Sequence, residues 1–267
     1  MKALRTTFAA AIGVAALLLA AAPAHAAPAH AAPMSNTTCA SGTIASGTYN
    51  NLTVTGVCTI PDGANVTVRG HLTLAAGSEL KAVTASTVMI RGNVLVGPGA
   101  KLGLGCSEAL TLPAFPGGPT ICPNGVSHDQ VKGSIVANQP LTLLLDGLTI
   151  HGNLVSVGGG VPVPGDNPGC EEMGGALNFP VKDNVIHGNV HISGWQGCWF
   201  GFIRNVQHGT TSLMSIDTSS SDSNEIVTNT IHGSLVCLGN SPAPQVGDSH
   251  GEANMVTGHR IGQCASL

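Results

Sequence analysis

Aromatic and charged residues are scarce in this chain of 267 residues, at 3% and 9% of the sequence. A coiled coil is excluded, because such chains are about half Ala, Glu, Lys, Leu and Arg. With only 10 Lys and Arg and a net charge of −4, the chain cannot neutralise many phosphates, so we predict no nucleic-acid partner. A zinc ribbon and a thioredoxin-like redox site are also excluded, because no two cysteines have the C-x-x-C spacing.

Apolar residues and glycine are plentiful instead. Apolar types make up 43% of the chain, which excludes a disordered protein at so small a net charge. The 36 glycines fall far short of the one in three that collagen requires. The composition therefore indicates a weakly charged globular protein rich in glycine and β-branched residues.

The first 26 residues have the pattern of a secretory signal peptide. Lys2 and Arg5 precede an apolar run from Phe8 to Ala22, and a small-residue A-x-A site follows at residues 24–26. The apolar run is shorter than the ~20 residues that span a bilayer. We therefore predict cleavage after Ala26, a secreted or cell-surface protein, and no membrane span in the mature chain.

Eight cysteines follow the predicted signal peptide, and an exported protein meets an oxidising environment. Eight cysteines allow 105 pairings, so their number alone does not fix the connectivity. In a fold of stacked turns, neighbours in sequence are neighbours in space, which favours local disulfides. The predicted pairs are Cys39–Cys58, Cys106–Cys122, Cys170–Cys198 and Cys237–Cys264.

An internal repeat predicts the architecture. The stretch V-T-V-R-G-H-L-T-L-A-A-G-S-E-L from Val66 matches V-M-I-R-G-N-V-L-V-G-P-G-A-K-L from Val88, with an offset of 22 residues and no gap. Apolar residues alternate within each stretch, and glycines interrupt it too often for a helix. Short strands separated by glycine corners and recurring at this period predict a parallel β-solenoid.

The second half carries a looser form of the repeat, with L-T-I-H-G-N-L from Leu148, V-I-H-G-N-V-H-I from Val185 and T-I-H-G-S-L-V-C-L from Thr230. Together these stretches resemble the right-handed parallel β-helix of the pectin-lyase-like superfamily. The resemblance implies an all-β fold and no particular activity. Together with the predicted disulfides, it leads us to expect a right-handed parallel β-helix with disulfide-stapled loops.

The repeat also sets the predicted domain limits. Residues 27–42 lack it and are expected to be a flexible leader, while residues 43–267 are expected to form a single β-helix domain. Gly/Pro-rich stretches at about 105–130 and 157–182 are too irregular for coils and predict long loops.

Basic residues at the corners of the repeat form two separate candidate sites. His187, His208 and His232 recur at nearly one coil and would stack on one corner, where a divalent metal is one interpretation and plain stacking the other. Arg69 and Arg91 lie one coil apart, so they would either grip an acidic polysaccharide or form a solvated corner.

The segment G-W-Q-G-C-W-F-G-F, from Gly194 to Phe202, is the third candidate site and holds both tryptophans. Trp195 and Trp199 would either form an exposed platform for sugar rings or pack around a disulfide through Cys198. Alternation favours placing Trp199 on the opposite face from Phe200 and Phe202.

No carboxylate pair stands out in the sequence as an acid and a base. We therefore expect a secreted, non-catalytic envelope, surface or matrix scaffold that contacts polysaccharide or cell-wall glycan. The alternative is a carbohydrate-active enzyme, a polysaccharide lyase or glycoside hydrolase of the pectin-lyase-like type. That alternative gains if Asp146, Asp183 and Asp217 meet a His or Arg in one groove.

Overall fold

The computed structural model of the protein describes residues 36–113, 118–162, 177–247 and 252–267. These residues form short β-strands joined by turns, with a 3-10 helix at Glu108–Thr111. No helix within these ranges is long and apolar enough to cross a membrane. The strands up to residue 157 are β1 (Thr37–Thr43), β2 (Gly47–Tyr49), β3 (Leu52–Thr59), β4 (Asn65–Val68), β5 (Leu72–Leu74), β6 (Glu79–Ala82), β7 (Thr87–Ile90), β8 (Val94–Val96), β9 (Lys101–Leu104), β10 (Gln130–Val131), β11 (Ile135–Asn138), β12 (Thr142–Asp146), β13 (Thr149–Ile150) and β14 (Leu154–Val157). The later strands are β15 (Asn178–Lys182), β16 (Val185–Ile186), β17 (Val190–Ser193), β18 (Gln196–Gly197), β19 (Trp199–Ile203), β20 (Val206–Gln207), β21 (Thr211–Met214), β22 (Asp217–Thr218), β23 (Glu225–Val227), β24 (Thr230–Ile231), β25 (Leu235–Leu238), β26 (Met255–Val256) and β27 (Arg260–Gly262).

Parallel sheets dominate the described part of the chain, which confirms the predicted all-β class with parallel strands. A 16-stranded sheet divides at β3, whose first half pairs with β5 and whose second half pairs with β6. Its first branch continues through β8, β11, β14, β17, β21, β25 and β27, and its second branch through β9, β12, β15, β19 and β23. A 9-stranded sheet runs β2-β4-β7-β10-β13-β16-β20-β24-β26, and β18 pairs with β22.

The strands follow a fixed order along most of the chain. A strand of the 9-stranded sheet is followed by one of the first branch and one of the second, and we call such a set a rung. Thus β4, β5 and β6 form one rung, and β7, β8 and β9 form the next. The residue pairs predicted from the repeat are all formed in parallel register: Val66–Val88, Val68–Ile90, Leu72–Val94, Leu74–Val96 and Leu80–Leu102.

Buried side chains at equivalent positions of successive rungs fill the interior. One such row in the 9-stranded sheet comprises Val68, Ile90, Val131, Ile150, Ile186, Gln207 and Ile231. Burying an aliphatic side chain contributes roughly 1.5–3 kcal/mol, so these rows are a main source of stability. The polar exception is Gln207, whose Nε2 donates to the carbonyl oxygen of Gly188 at 2.8 Å.

A ladder of buried asparagines lines the corner where the chain enters the 9-stranded sheet. This asparagine ladder consists of Asn184, Asn205, Asn229 and Asn254. The Oδ1 atom of each later member accepts the backbone N–H of the member before it, at 2.9–3.1 Å. Each Nδ2 donates to a backbone carbonyl of an earlier strand, at 2.6–3.0 Å. Burial is therefore matched by hydrogen bonds, which removes the cost of burying these amides.

The turn before the ladder has a consistent backbone conformation. Asp183, Arg204 and Thr228 directly precede three ladder asparagines and have φ values of 56°, 54° and 58°. Such left-handed conformations are uncommon outside glycine. Their recurrence marks one turn geometry that is repeated in successive rungs.

Three of the four predicted disulfides are present in the described residues: Cys39–Cys58, Cys106–Cys122 and Cys237–Cys264. Cys198 is also disulfide-bonded. Its predicted partner Cys170 lies outside the described residues, so that pairing stays a prediction.

Two predicted boundaries need correction. Strand β1 pairs in parallel with β3, so the predicted flexible leader of residues 27–42 is wrong from Thr37 onward. The predicted loop of residues 157–182 ends in β15, which pairs with both β12 and β19. Phe179 and Val181, at the end of that stretch, point into the core. Their F-P-V alternation was not recognised as a strand because the stretch as a whole is rich in glycine and proline. The predicted signal peptide of residues 1–26 lies outside the described residues.

Candidate functional site

The residue that follows each strand of the 9-stranded sheet is basic in successive rungs from β4 to β24. We call these exposed side chains the basic row: Arg69, Arg91, Lys132, His151, His187, His208 and His232. From Arg91 onward, each backbone N–H donates to the last strand residue of the previous rung at 2.8–2.9 Å. The arginines and histidines, which the sequence suggested as two separate sites, therefore belong to one line.

The histidines of the basic row stack face to face. Ring centroids lie 5.0 Å apart between His151 and His187, 4.9 Å between His187 and His208, and 5.0 Å between His208 and His232, with interplanar angles of 5–18°. Parallel rings direct their nitrogens side by side rather than toward one point. Among the described residues, no group of three His, Cys, Asp or Glu is placed to hold a metal ion. The predicted stacking is therefore present without a metal-holding arrangement at His187, His208 and His232.

Lys132 joins the arginine and histidine parts of the basic row. Its Nζ lies 2.9 Å from Nε2 of His151. Partial desolvation, and then the positive charges of Lys132 and His187, lower the pKa of His151. The sequence analysis missed Lys132, although K-G-S at residues 132–134 matches R-G-N at 91–93, because the long loop before it interrupts the repeat.

A glycine follows each member of the basic row for a steric reason. A Cβ atom at Gly188 would lie 2.4 Å from the carbonyl oxygen of Gly152, the equivalent residue one rung earlier. Such a contact with backbone requires the corner to shift. Close packing between rungs thus explains the glycine of the H-G and R-G dipeptides. It does not explain the basic residue that precedes the glycine.

A groove lies on the outer face of the second branch, away from the basic row. It has a volume of about 360 Å³, and its polar lining consists of Thr59, Glu79, Lys81, Thr84, Lys101 and Thr142. Glu79 lies between the two lysines, 3.7 Å from the Nζ of Lys81 and 3.9 Å from that of Lys101. The groove therefore presents hydroxyl, ammonium and carboxylate groups along the strands of the second branch.

Trp199 lies on the same outer face, farther along the second branch. Lys101 pairs with Thr142, the Oγ1 atom of Thr142 donates to the carbonyl oxygen of Asn178, and Asn178 pairs with Trp199. The six-membered ring of the half-buried Trp199 side chain covers Gly201, where a Cβ would be 2.1 Å from it. Nζ of Lys182 lies 4.7 Å from the ring centroid.

Trp195 corrects the prediction of an aromatic platform that uses both tryptophans. It is fully buried, contacts Phe179 edge to face at 5.4 Å, and donates its Nε1–H to the carbonyl oxygen of Leu141 at 3.1 Å. It therefore belongs to the core. The predicted division of Trp199 from Phe200 and Phe202 is confirmed, because both phenylalanines are buried.

Charged groups cluster beside Trp199, at the end of β12 and β15. Both Nε and Nη2 of Arg204 donate to Asp183 at 2.7 Å, and Ser107 donates its N–H to Asp146 and its hydroxyl to Asp183. Burial raises the pKa of Asp146 to about 6, against the opposing effect of the bond from Ser107. Burial, and then the nearby Arg204, lower the pKa of Lys182.

This charged cluster matches part of the arrangement that the sequence set as a condition for an enzyme. Asp146, Asp183 and Arg204 are brought together, whereas Asp217 pairs with Gln196 in the small sheet and does not join them. Lys182 was not predicted as a site residue, because it lies in the stretch that was predicted to be a loop. No protein-family model, curated protein or solved structure matches this chain.

Proposed function

We propose that this chain is an exported right-handed parallel β-helix with the architecture of the pectin-lyase-like superfamily. Three observations support this proposal. Rungs of three short strands recur along the chain, equivalent residues pair in parallel, and an interior of stacked apolar rows is continuous from rung to rung. The three disulfides agree with export, since such bonds persist in oxidising compartments.

Its proposed role is that of a non-catalytic surface or matrix scaffold that binds glycan on the outer face of the second branch. The half-buried Trp199 ring carries this proposal, because it covers Gly201 on that face, in line with Thr142 and the groove. An indole face gives a large apolar contact area, and the lysines and threonines of the groove supply hydrogen bonds to hydroxyl groups. A flat face of this kind suits an extended sugar chain better than a compact ligand.

Replacement of Trp199 tests the proposal directly. A glycan array would identify ligands of the wild-type protein, and calorimetric titration would then compare W199A with L95A. Leu95 is an exposed residue of the first branch, at 37% exposure, and serves as the matched control. We expect W199A to lose about tenfold or more in affinity and L95A to bind like the wild type, with unchanged circular dichroism in both. Equal binding by W199A and the wild type would refute the Trp199 site.

A carbohydrate-active enzyme is the second candidate function, and the charged cluster favours it. A buried carboxyl with a pKa of about 6 close to a second carboxylate and an arginine is a common feature of acid–base sites. Against it, Asp183 is held by both Arg204 and Ser107, which is typical of a structural ion pair. Release of new sugar ends from a bound glycan would establish the enzyme and reject the scaffold.

A further inference from the structure

The outer face of the first branch carries more exposed hydrophobic residues than the outer face of the second branch or of the 9-stranded sheet. Five of its outward residues are large, hydrophobic and 37–47% exposed: Leu95, Val136, Val157, Leu238 and Ile261. The outward residues of the described strands of this branch, from β5 to β27, include no Asp, Glu, Lys or Arg. Contiguous apolar surface without charge is typical of a site that binds another protein surface.

The apolar residues of this face form two clusters, one on each side of β17. The first cluster consists of Leu95 on β8, Val136 on β11, and Val155 and Val157 on β14. The second cluster consists of Met214 on β21, Val236 and Leu238 on β25, and Ile261 on β27. Parallel register aligns these residues in two columns, which pass through His191 and Ser193 of β17. The face is therefore apolar on both sides of a polar strand.

Strand β17 lies at the centre of this arrangement. It is followed by β14, β11 and β8 on one side and by β21, β25 and β27 on the other. A two-fold axis along β17, in the plane of the face, would bring β8, β11 and β14 of one copy opposite β27, β25 and β21 of another. The two clusters are thus placed so that one copy of the face can cover a second copy.

We infer that two copies of this chain form a dimer through this face, with β17 of each copy at the two-fold axis and with the rungs of the two copies stacked in opposite directions. In the dimer, Leu95, Val136 and Val157 of one copy face Ile261, Val236 and Met214 of the other, respectively. Each of these apolar pairs forms twice, as in every isologous interface. The groove and Trp199 belong to the second branch and take no part in this contact, so the inference does not rest on the proposed function.

The last rung is the competing surface for self-association. Its strands β26 and β27 are edge strands, and an open edge can pair with a strand of another chain. The column of inward residues that includes Leu235 ends there at Arg260, whose Nη2 donates to the carbonyl oxygen of Asn254 at 2.7 Å. A charged residue at an inward position of an edge strand opposes further strand pairing. Association through the first branch therefore stops at two copies and does not continue as a filament.

The size of the face predicts a weak dimer. Seven strands at a spacing of about 4.8 Å, with about four residues each, give an area of roughly 34 Å by 13 Å on each copy. Two such faces amount to roughly 900 Å², which is below the range of stable interfaces and suits a reversible one. Analytical ultracentrifugation of the full, disulfide-bonded protein from about 5 to 500 µM tests this. We expect a monomer–dimer equilibrium with its midpoint in this range, no larger species, and no weakening at about 1 M NaCl, because the contact contains no ion pair.

Paired charge variants test the two-fold arrangement. V136E should weaken dimerisation about tenfold or more, because each dimer then buries two unpaired carboxylates, and V236K should do the same through its ammonium groups. A mixture of V136E and V236K should recover dimers to within about threefold of the wild-type affinity, because a carboxylate of one copy then faces an ammonium group of the other. V206E is the matched control and should dimerise like the wild type. Val206 is 37% exposed, against 38% for Val136, but it lies on the 9-stranded sheet. Circular dichroism should be unchanged in all three variants.

The contrary results are equally specific. The inference is overturned if the wild-type protein stays monomeric up to about 500 µM or assembles beyond the dimer. Loss of the dimer at about 1 M NaCl would assign the contact to charged groups and overturn the apolar face. Equal weakening by V206E and V136E would place the contact outside the first branch. If V136E and V236K each weaken the dimer and their mixture does not recover it, the two copies do not face each other about β17, and the assigned pairing is rejected.

Discussion

The asparagine ladder and the histidines of the basic row lie in the same rungs, only three residues apart along the chain. The pairs are Asn184 and His187, Asn205 and His208, and Asn229 and His232. A two-residue strand of the 9-stranded sheet separates the members of each pair, so one register spaces both sets. The asparagines are buried and the histidines are exposed.

The difference between them shows which recurring residues the backbone demands. Each ladder amide satisfies a buried backbone N–H and a buried carbonyl, and such groups are costly to leave unpaired. In the part of the chain that the structure describes, the imidazoles of His187, His208 and His232 stack on one another and form no hydrogen bond. The fold therefore accounts for the asparagines, whereas the histidines recur without a backbone requirement, which is what a surface site would produce.

The most direct test of this difference is the same substitution in the asparagine ladder and in the histidines. N205L removes the Oδ1 atom that accepts the N–H of Asn184 at 3.0 Å and the Nδ2 donor to Val181 at 2.9 Å. Two buried polar groups lose their partners, so we expect a loss of about 4 kcal/mol in the free energy of unfolding. H208L, in the same rung, should change that free energy by less than about 0.5 kcal/mol. Urea unfolding followed by circular dichroism measures both.

Leucine is a fair probe for this purpose, because the ladder position already holds one. Leu148 is in register with Asn184, is buried, and donates its backbone N–H to Oδ1 of Asn184 at 2.9 Å. A leucine can therefore be accommodated in this corner. Similar losses in N205L and H208L would show that the histidine stack is as important to the fold as the ladder, and the recurrence of histidine would then be explained by the fold alone.

The rung that contains Lys132 sharpens the comparison, because an aspartate occupies the ladder position there. Asp129 is buried, and its Oδ1 accepts the N–H of Val88 at 2.7 Å, while no donor among the described residues meets hydrogen-bond geometry at Oδ2. Burial raises its pKa from 3.8 to about 7. D129N places the residue of the ladder at this position, so we expect the free energy of unfolding at pH 8 to rise by about 2 kcal/mol.

The pH dependence of stability gives the same prediction a second readout. Because the folded pKa of Asp129 exceeds its unfolded value, the folded protein holds a proton that the unfolded chain releases between about pH 4 and pH 7. The stability from this group is complete below the unfolded pKa and is lost as the pH rises through 7. D129N should flatten the decline across this window. An unchanged decline would assign it to Asp146 instead, whose pKa burial raises to about 6.

The sequence was sufficient for the regular rungs and insufficient for the surfaces that depend on loops. Val66 and Val88 could be paired because ungapped apolar alternation fixes the register of buried strands. Lys132 was missed because the loop before it has no periodicity, and β15 was missed because proline interrupts its alternation. The ladder was readable in N-V-I-H, N-V-Q-H and N-T-I-H, where Asn precedes His by three residues, but burial of a polar residue has no signature in sequence alone.

The smallest effect concerns Lys132, which joins the arginine and histidine parts of the basic row. Desolvation, Lys132 and His187 together lower the pKa of His151, and Nζ of Lys132 lies 2.9 Å from its Nε2 atom. K132Q removes one of these positive charges, so the pKa of His151 should rise in an NMR titration of the imidazole protons. R91Q, one rung farther away, is the matched control and should have a smaller effect, because solvent screens exposed charges. Equal changes in the pKa of His151 in the two variants would mean that the effect of a charge does not depend on its distance along the row. The close contact between Lys132 and His151 would then have no special effect.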